Sequence, residues 1–146
     1  MPNVDELRSS TRRLAACALL AASLVAAPAL AGDHLKVVFQ VSEGDKQARV
    51  ALFMAKRDLE RDPKARIEIV AYGDGVTFLQ SDTLFSTQGP KVAELAARGV
   101  VFKVCADSMR FHNLTPADFL PKVQVVPSGS LEIAKLQQQG YAYLRP

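Results

Sequence analysis

The stretch GVVFKVCADSMRFHN, residues 99–113, ends an apolar run on a cysteine and turns polar at once. Cys105 is one of two cysteines in the chain. A cysteine attacks only as its thiolate, so the chemistry depends on what surrounds the sulfur. If the residues after Cys105 begin a helical turn, their free backbone amides favour the thiolate, Lys103 or Arg110 would add to this, and Asp107 would oppose it. Such a thiolate can attack a sulfur or carbonyl centre, or carry a persulfide, without a full catalytic triad. The competing reading is packing, because free cysteine is among the most buried residue types and this one closes an apolar strand. The residue types leave both readings open.

The other reactive side chains form no comparable pattern. His112 follows Cys105 by seven residues and His34 lies far upstream. Two histidines and one cysteine without ligand spacing predict no metal site, and both histidines read as surface residues. Gly73-Asp74-Gly75 could approach a phosphate, but it lacks the helix-opening glycine pattern of a dinucleotide or P-loop site and reads as a turn. Tyr141 and Tyr143 read as packing residues of an edge strand. No Ser-His-Asp order or paired carboxylates stand out, and no cofactor is expected.

The chain that must position Cys105 has 146 residues, 49% hydrophobic and 23% charged, which suits one globular domain. Its beginning reads as a targeting segment. Arg8, Arg12 and Arg13 form a basic region, LAACALLAASLVAAPAL is apolar throughout, and Ala29-Leu30-Ala31 is a small-x-small cleavage pattern. Residues 1–31 are therefore expected to be a removed signal peptide, which leaves 32–146 as the mature domain in the periplasm or secreted, with no membrane attachment. Pro28 and the cleavage pattern weigh against a permanent anchor. Leu14-Ala15-Ala16-Cys17 looks like a lipoprotein box but precedes the apolar run instead of following it. Thr11-Arg12-Arg13 looks like a twin-arginine signal but lacks the bulkier apolar residues expected next. Removal makes Cys105 the only thiol in a compartment where thiols usually pair. In the mature part Lys and Arg are scattered among Asp and Glu, without the basic face that nucleic acid requires. A domain of this size buries about two thirds of its unfolded surface and needs no disulfide.

The periodicity predicts an α/β order. LKVVFQVS at 35–42 reads as a strand covered on both faces. Ala48, Ala51, Leu52, Ala55 and Leu59 then recur at helical spacing, with Asp45 as N-cap and Asp62-Pro63 as stop. ARIEIVAYG at 65–73 is a second strand, completing a parallel βαβ unit. Val76, Phe78 and Leu79 make a short apolar turn, and the polar stretch at 81–90 is the longest irregular region, one that could border a site. A helix in KVAELAARG buries Val92, Leu95 and Ala96 and ends on Gly99. VVFKVC is the third strand. Thr115-Pro116-Ala117-Asp118 starts a short capped helix, VQVV is a fourth strand, and a last helix with Leu131, Ala134 and Leu136 on its apolar side ends at Gly140 before a fifth strand, YAYL. The predicted fold is an open, mostly parallel five-stranded sheet between helices, with Cys105 at the carboxyl edge where such sheets bind ligands.

The run from KVVFQVS through EIVAYGDGV and VAELAARGVVFKVCADSM to LTPADFLPKVQVVPSGSLEIAKLQQQGYAYLRP resembles the DsrE/DsrF-like family, in its small exported single-domain branch. Its most specific pieces are the Gly-Val-x-Phe-x-x-Cys step ending at Cys105 and the tail from VVPSG onward. Asp74 and Asp107 depart from the proline and asparagine that the resemblance implies there. The resemblance implies a flavodoxin-like or Rossmann-like sandwich, assembly into trimers or hexamers, and a link to sulfur metabolism in which Cys105 carries persulfide sulfur between small thiols or a donor and acceptor protein. Two other functions remain open: a non-enzymatic oligomeric module binding a small ligand, with Cys105 as buried packing, and a redox sensor forming an intermolecular disulfide.

Overall fold

The computed structural model describes residues 34–82 and 86–146. The expected signal peptide and its cleavage site lie outside the described residues. Among the described residues no helix is long and apolar enough to cross a membrane.

Five strands build the sheet: β1 (Lys36–Val41), β2 (Arg66–Ala71), β3 (Val101–Cys105), β4 (Gln124–Val126) and β5 (Ala142–Leu144). Their spatial order is β4-β3-β2-β1-β5, and every neighbouring pair is parallel, so the sheet is wholly parallel where the periodicity predicts mostly parallel. Four helices connect them: α1 (Asp45–Arg61), α2 (Gly89–Ala97), α3 (Ala106–Phe111) and α4 (Gly129–Gln138). A 3-10 segment (Gly73–Leu79) follows β2, and a 3-10 turn (Pro116–Asp118) precedes β4.

Alternation along the strands sorts side chains onto two faces. Val37, Phe39, Val41, Ile67, Ile69, Phe102 and Val104 pack with α1 and α2 in the larger buried cluster. Val38 and Val70 point the other way and pack against Ile133 and Leu136 of α4. The chain crosses to that second face because it must pass over β3, β2 and β1 to place β5 on the far edge of the sheet. β1 and β2 are apolar on both faces for this reason, as expected of strands covered twice.

Local signals end the elements. The side-chain oxygen of Gln47 accepts from the N–H groups of Ser42 and Glu43, both at 2.8 Å, and holds the chain entering α1. Gly44 is the N-cap of α1, one residue before the expected Asp45. Asp45 instead begins the helix, where its carboxylate accepts from Gln88 Nε2 at 2.9 Å and pairs with Arg49. The carboxylate of Asp62 accepts from Leu35 N–H and from His34, which holds it below the usual carboxylate range. Gly99 sits at φ +94°, the left-handed conformation that ends α2. Thr115 donates through its N–H and hydroxyl to Asp118 at 2.7 and 2.8 Å, as its capping position predicts.

Helix α4 corrects the sequence reading. Its buried residues are Gly129, Ile133 and Leu136, whereas Leu131 is 62% exposed and Ala134 faces solvent. Ile133 and Leu136 lie three apart and share a side; Leu131 is off that stripe by two positions, a spacing that puts it across the helix.

Candidate functional site

Cys105 is the last residue of β3, opposite Val126 of β4. Phe102 and Val104 turn toward α1 and α2, so Lys103 and Cys105 turn toward α4. The thiol is 5% exposed, at the carboxyl edge of the sheet. Immediately after it the chain enters α3, with Cys105 still extended as the N-cap residue at φ −75° and ψ 122°.

Burial alone pushes a thiol up, because it penalises the charged form. Around Cys105 that effect is outweighed by the backbone N–H and hydroxyl of Ser108 and by the backbone N–H groups of Gly129 and Asp107, and the thiol falls below its ordinary value. Two elements thus act on one sulfur: the first turn of α3 and the first residue of α4. Neither Lys103 nor Arg110 assists. Lys103 is engaged by Glu68 and Glu132, and Arg110 pairs with Asp107. That second pair answers the expected opposition of Asp107: its carboxylate is 63% exposed and tied to a guanidinium, while its backbone N–H favours the thiolate.

The hydroxyl of Ser108 is oriented by a third element. Gly73 N–H donates to Ser108 Oγ at 2.8 Å, leaving the hydroxyl proton for the sulfur. Gly73 reaches it through a left-handed turn at φ +54°, so Gly73-Asp74-Gly75 is a turn and also serves the thiol. A Cβ on Gly129 would lie 3.0 to 3.3 Å from Tyr72 side-chain atoms, so any larger residue would press on Tyr72 where α4 begins. Ser108, Gly129, Gly73 and Tyr72 escaped the sequence reading. The Cys105-x-x-Ser108 spacing at a helix start was a signal for the first; the others depend on contacts across the sheet.

Ser108→Ala is expected to raise the thiol pKa and, through the thiolate fraction lost, to slow iodoacetamide alkylation at neutral pH about three- to tenfold. The pH profile of alkylation checks it. In the wild type the rate should level off at lower pH than for free cysteine. Stability behaves likewise: a depressed thiol pKa contributes stability above the unfolded value, and this is lost as pH falls through the folded one.

The histidines take separate places. His34 is at the start of β1 with its Nδ1 2.9 Å from Asp62, the opposite end of the sheet from Cys105. His112 follows α3; its Nε2 is buried and 3.3 Å from Asp74 Oδ1, so it is not the fully surface residue expected. It is absent from the groups acting on the thiol. Among the described residues no three of His, Cys, Asp and Glu are gathered to hold a metal ion. Within the polar stretch expected to border a site, Ser86 and Gln88 lie on the other face: Ser86 donates to the Phe78 carbonyl at 2.6 Å and Gln88 to Asp45.

Comparison with known proteins supplies the context for this geometry. The model of the DsrE/DsrF-like family matches residues 35–146. A solved structure of a protein of unknown function, MTH1491 from Methanobacterium thermoautotrophicum, superposes with a TM-score of 0.72 at 34% identity, covering 78% of this chain and 100% of that one. The ychN protein from E. coli superposes with a TM-score of 0.63 at 13% identity, covering 75% of this chain and 96% of that one. No curated protein matches the chain.

Proposed function

The chain belongs to the DsrE/DsrF-like family, which is associated with sulfur metabolism, and from that premise we propose that it carries sulfane sulfur as a persulfide on Cys105. One observation supports this above the rest: two helix starts and an oriented hydroxyl favour the thiolate of a cysteine at the ligand-binding edge of the sheet. The thiolate attacks the terminal sulfur of a small persulfide or polysulfide, or of a donor protein's persulfide. The donor's S–S bond breaks, a new S–S bond forms on Cys105, and the donor's inner sulfur leaves as a thiolate that takes up a proton. No net oxidation occurs. In the return step an acceptor thiolate attacks the outer sulfur, and Cys105 departs as the leaving group. The donors that favour its thiolate make it a good one.

Intact-mass measurement after incubation with polysulfide tests the reading. The wild-type chain should gain one sulfur atom, about 32 Da, removable by dithiothreitol. A mass that stays unmodified overturns it.

Export to the periplasm and assembly into a trimer or hexamer belong to the same proposal. The first rests on the Arg8 to Ala31 segment; the second rests on the family resemblance, with the exposed side chains of Phe53, Phe111 and Leu131 as candidate contacts. The 5% exposure of the thiol favours one rival, an oligomeric ligand-binding module in which Cys105 is packing. Slow labelling together with an unmodified mass would support that rival.

A further inference from the structure

Helix α4 has a thin apolar seat. Only Val38 and Val70 of the sheet and Ile133 and Leu136 of the helix form the buried cluster beneath it, with Tyr72 and Tyr141 packed against them. An ionic contact stands beside this cluster. Lys103 lies two residues before Cys105, on the same face of β3, and its Nζ is 2.5 Å from Glu68 on β2 and 2.5 Å from Glu132 on α4. The side chains are only 11%, 12% and 18% exposed for Lys103, Glu68 and Glu132. Burial alone would favour neutral Lys103, but the hydrogen bonds and charges of Glu132 and Glu68 outweigh it and raise its pKa. Moving α4 away would strip a largely buried ammonium of one partner, a costly step for a charge removed from water.

Glu132 stands three residues, about one helical turn, after Gly129. A helix tied down at Glu132 therefore has its first residue located as well. The backbone N–H of that first residue is among the groups that favour the Cys105 thiolate, and the residue sits tightly against Tyr72.

We propose that Lys103 and Glu132 are positioning residues for Cys105: their ion pair seats the first turn of α4 so that the Gly129 N–H stays on the sulfur. This deepens the sulfur-carrier reading and takes its chemical meaning from it.

The charges near the sulfur make the direction of the effect diagnostic. Lys103 comes from β3, Glu68 from β2, Glu132 from α4, and the Asp107–Arg110 pair from α3. Neutralising Glu132 removes a negative charge, which by Coulomb attraction alone would favour the thiolate and speed alkylation. Unseating α4 does the reverse.

Iodoacetamide alkylation at Cys105, located by peptide mass in the full protein and followed across the thiol titration, separates the two. Glu132→Ala is expected to raise the thiol pKa and slow alkylation at neutral pH about three- to tenfold. Glu132→Gln loses the same charge but keeps an oxygen that accepts from Lys103, and is expected to stay within about twofold of wild type. Acceleration in both variants, or equal slowing in both, overturns the proposal. Should the alanine variant fail to fold, Glu132→Asp against Glu132→Gln carries the test: aspartate keeps the charge but draws it back from Lys103, so slowing by aspartate alone supports the seat, and equal rates in the two overturn it. No sulfur donor is used. A chain that shows this pattern yet never takes up sulfur would lose the carrier reading and keep the positioning one.

Discussion

Gly75→Ala is expected to destabilise the domain by about 3 kcal/mol or more, at or above the upper end of ordinary overpacking. Gly75 is buried in the 3-10 segment that follows β2. An added Cβ would lie 2.2 Å from the carbonyl oxygen of Val41, 2.6 Å from its carbonyl carbon and 3.0 Å from Ser42 N. These are backbone atoms at the end of a central strand, so no rotamer change relieves the collision. Gly75 N–H also donates to the Tyr72 carbonyl at 3.1 Å, which a displaced turn would lose. For a domain of this size the cost corresponds to a melting temperature lower by roughly 10–20 °C, measurable by circular dichroism. The same turn carries the Gly73 N–H to Ser108. Whatever fraction of the variant remains folded should therefore alkylate more slowly than wild type. An unchanged melting temperature would show that the turn does not approach β1 so closely.

Cys105→Ser is expected to abolish sulfur loading while changing stability by only about 1 kcal/mol. A serine hydroxyl can accept from the same amides that surround the sulfur, so the turn into α3 keeps its donors satisfied. It cannot act as the thiolate does, because at neutral pH it stays protonated. Intact mass after polysulfide treatment and a thermal melt on the same sample check both halves. An adduct of about 32 Da that persists in the variant would remove Cys105 from the proposal. A large drop in melting temperature in the variant, with no adduct on the wild type, would favour the packing role.

The sequence marked Cys105 and its position at a strand end, since Val101 to Val104 are apolar apart from Lys103 and the polar ADSMRFHN follows. It also marked Thr115, Gly99 and the α1 stripe, because caps and periodicity are local codes. It misplaced Leu131 and Ala134 in α4, a helix whose buried side is narrow because the sheet beneath it is partly ionic. It offered Lys103 or Arg110 as aids to the thiolate if either points toward it, and both are turned to carboxylates.

What the sequence alone determines is therefore the α/β order, the parallel pairing within the first βαβ unit and a thiol at the edge of the third strand. These follow from residue spacing along the chain, which sets hydrogen-bonded local structure and which faces are apolar. The tertiary structure alone decided how that thiol is held. Ser108 follows Cys105 by three residues, but Gly73 and Gly129 come from elements distant in the chain, and Gly129 reaches the thiol only because α4 crosses the second face of the sheet to reach β5. Hydrogen-bond donors act over a few ångströms, so their effect on Cys105 depends on distances that no spacing along the chain encodes.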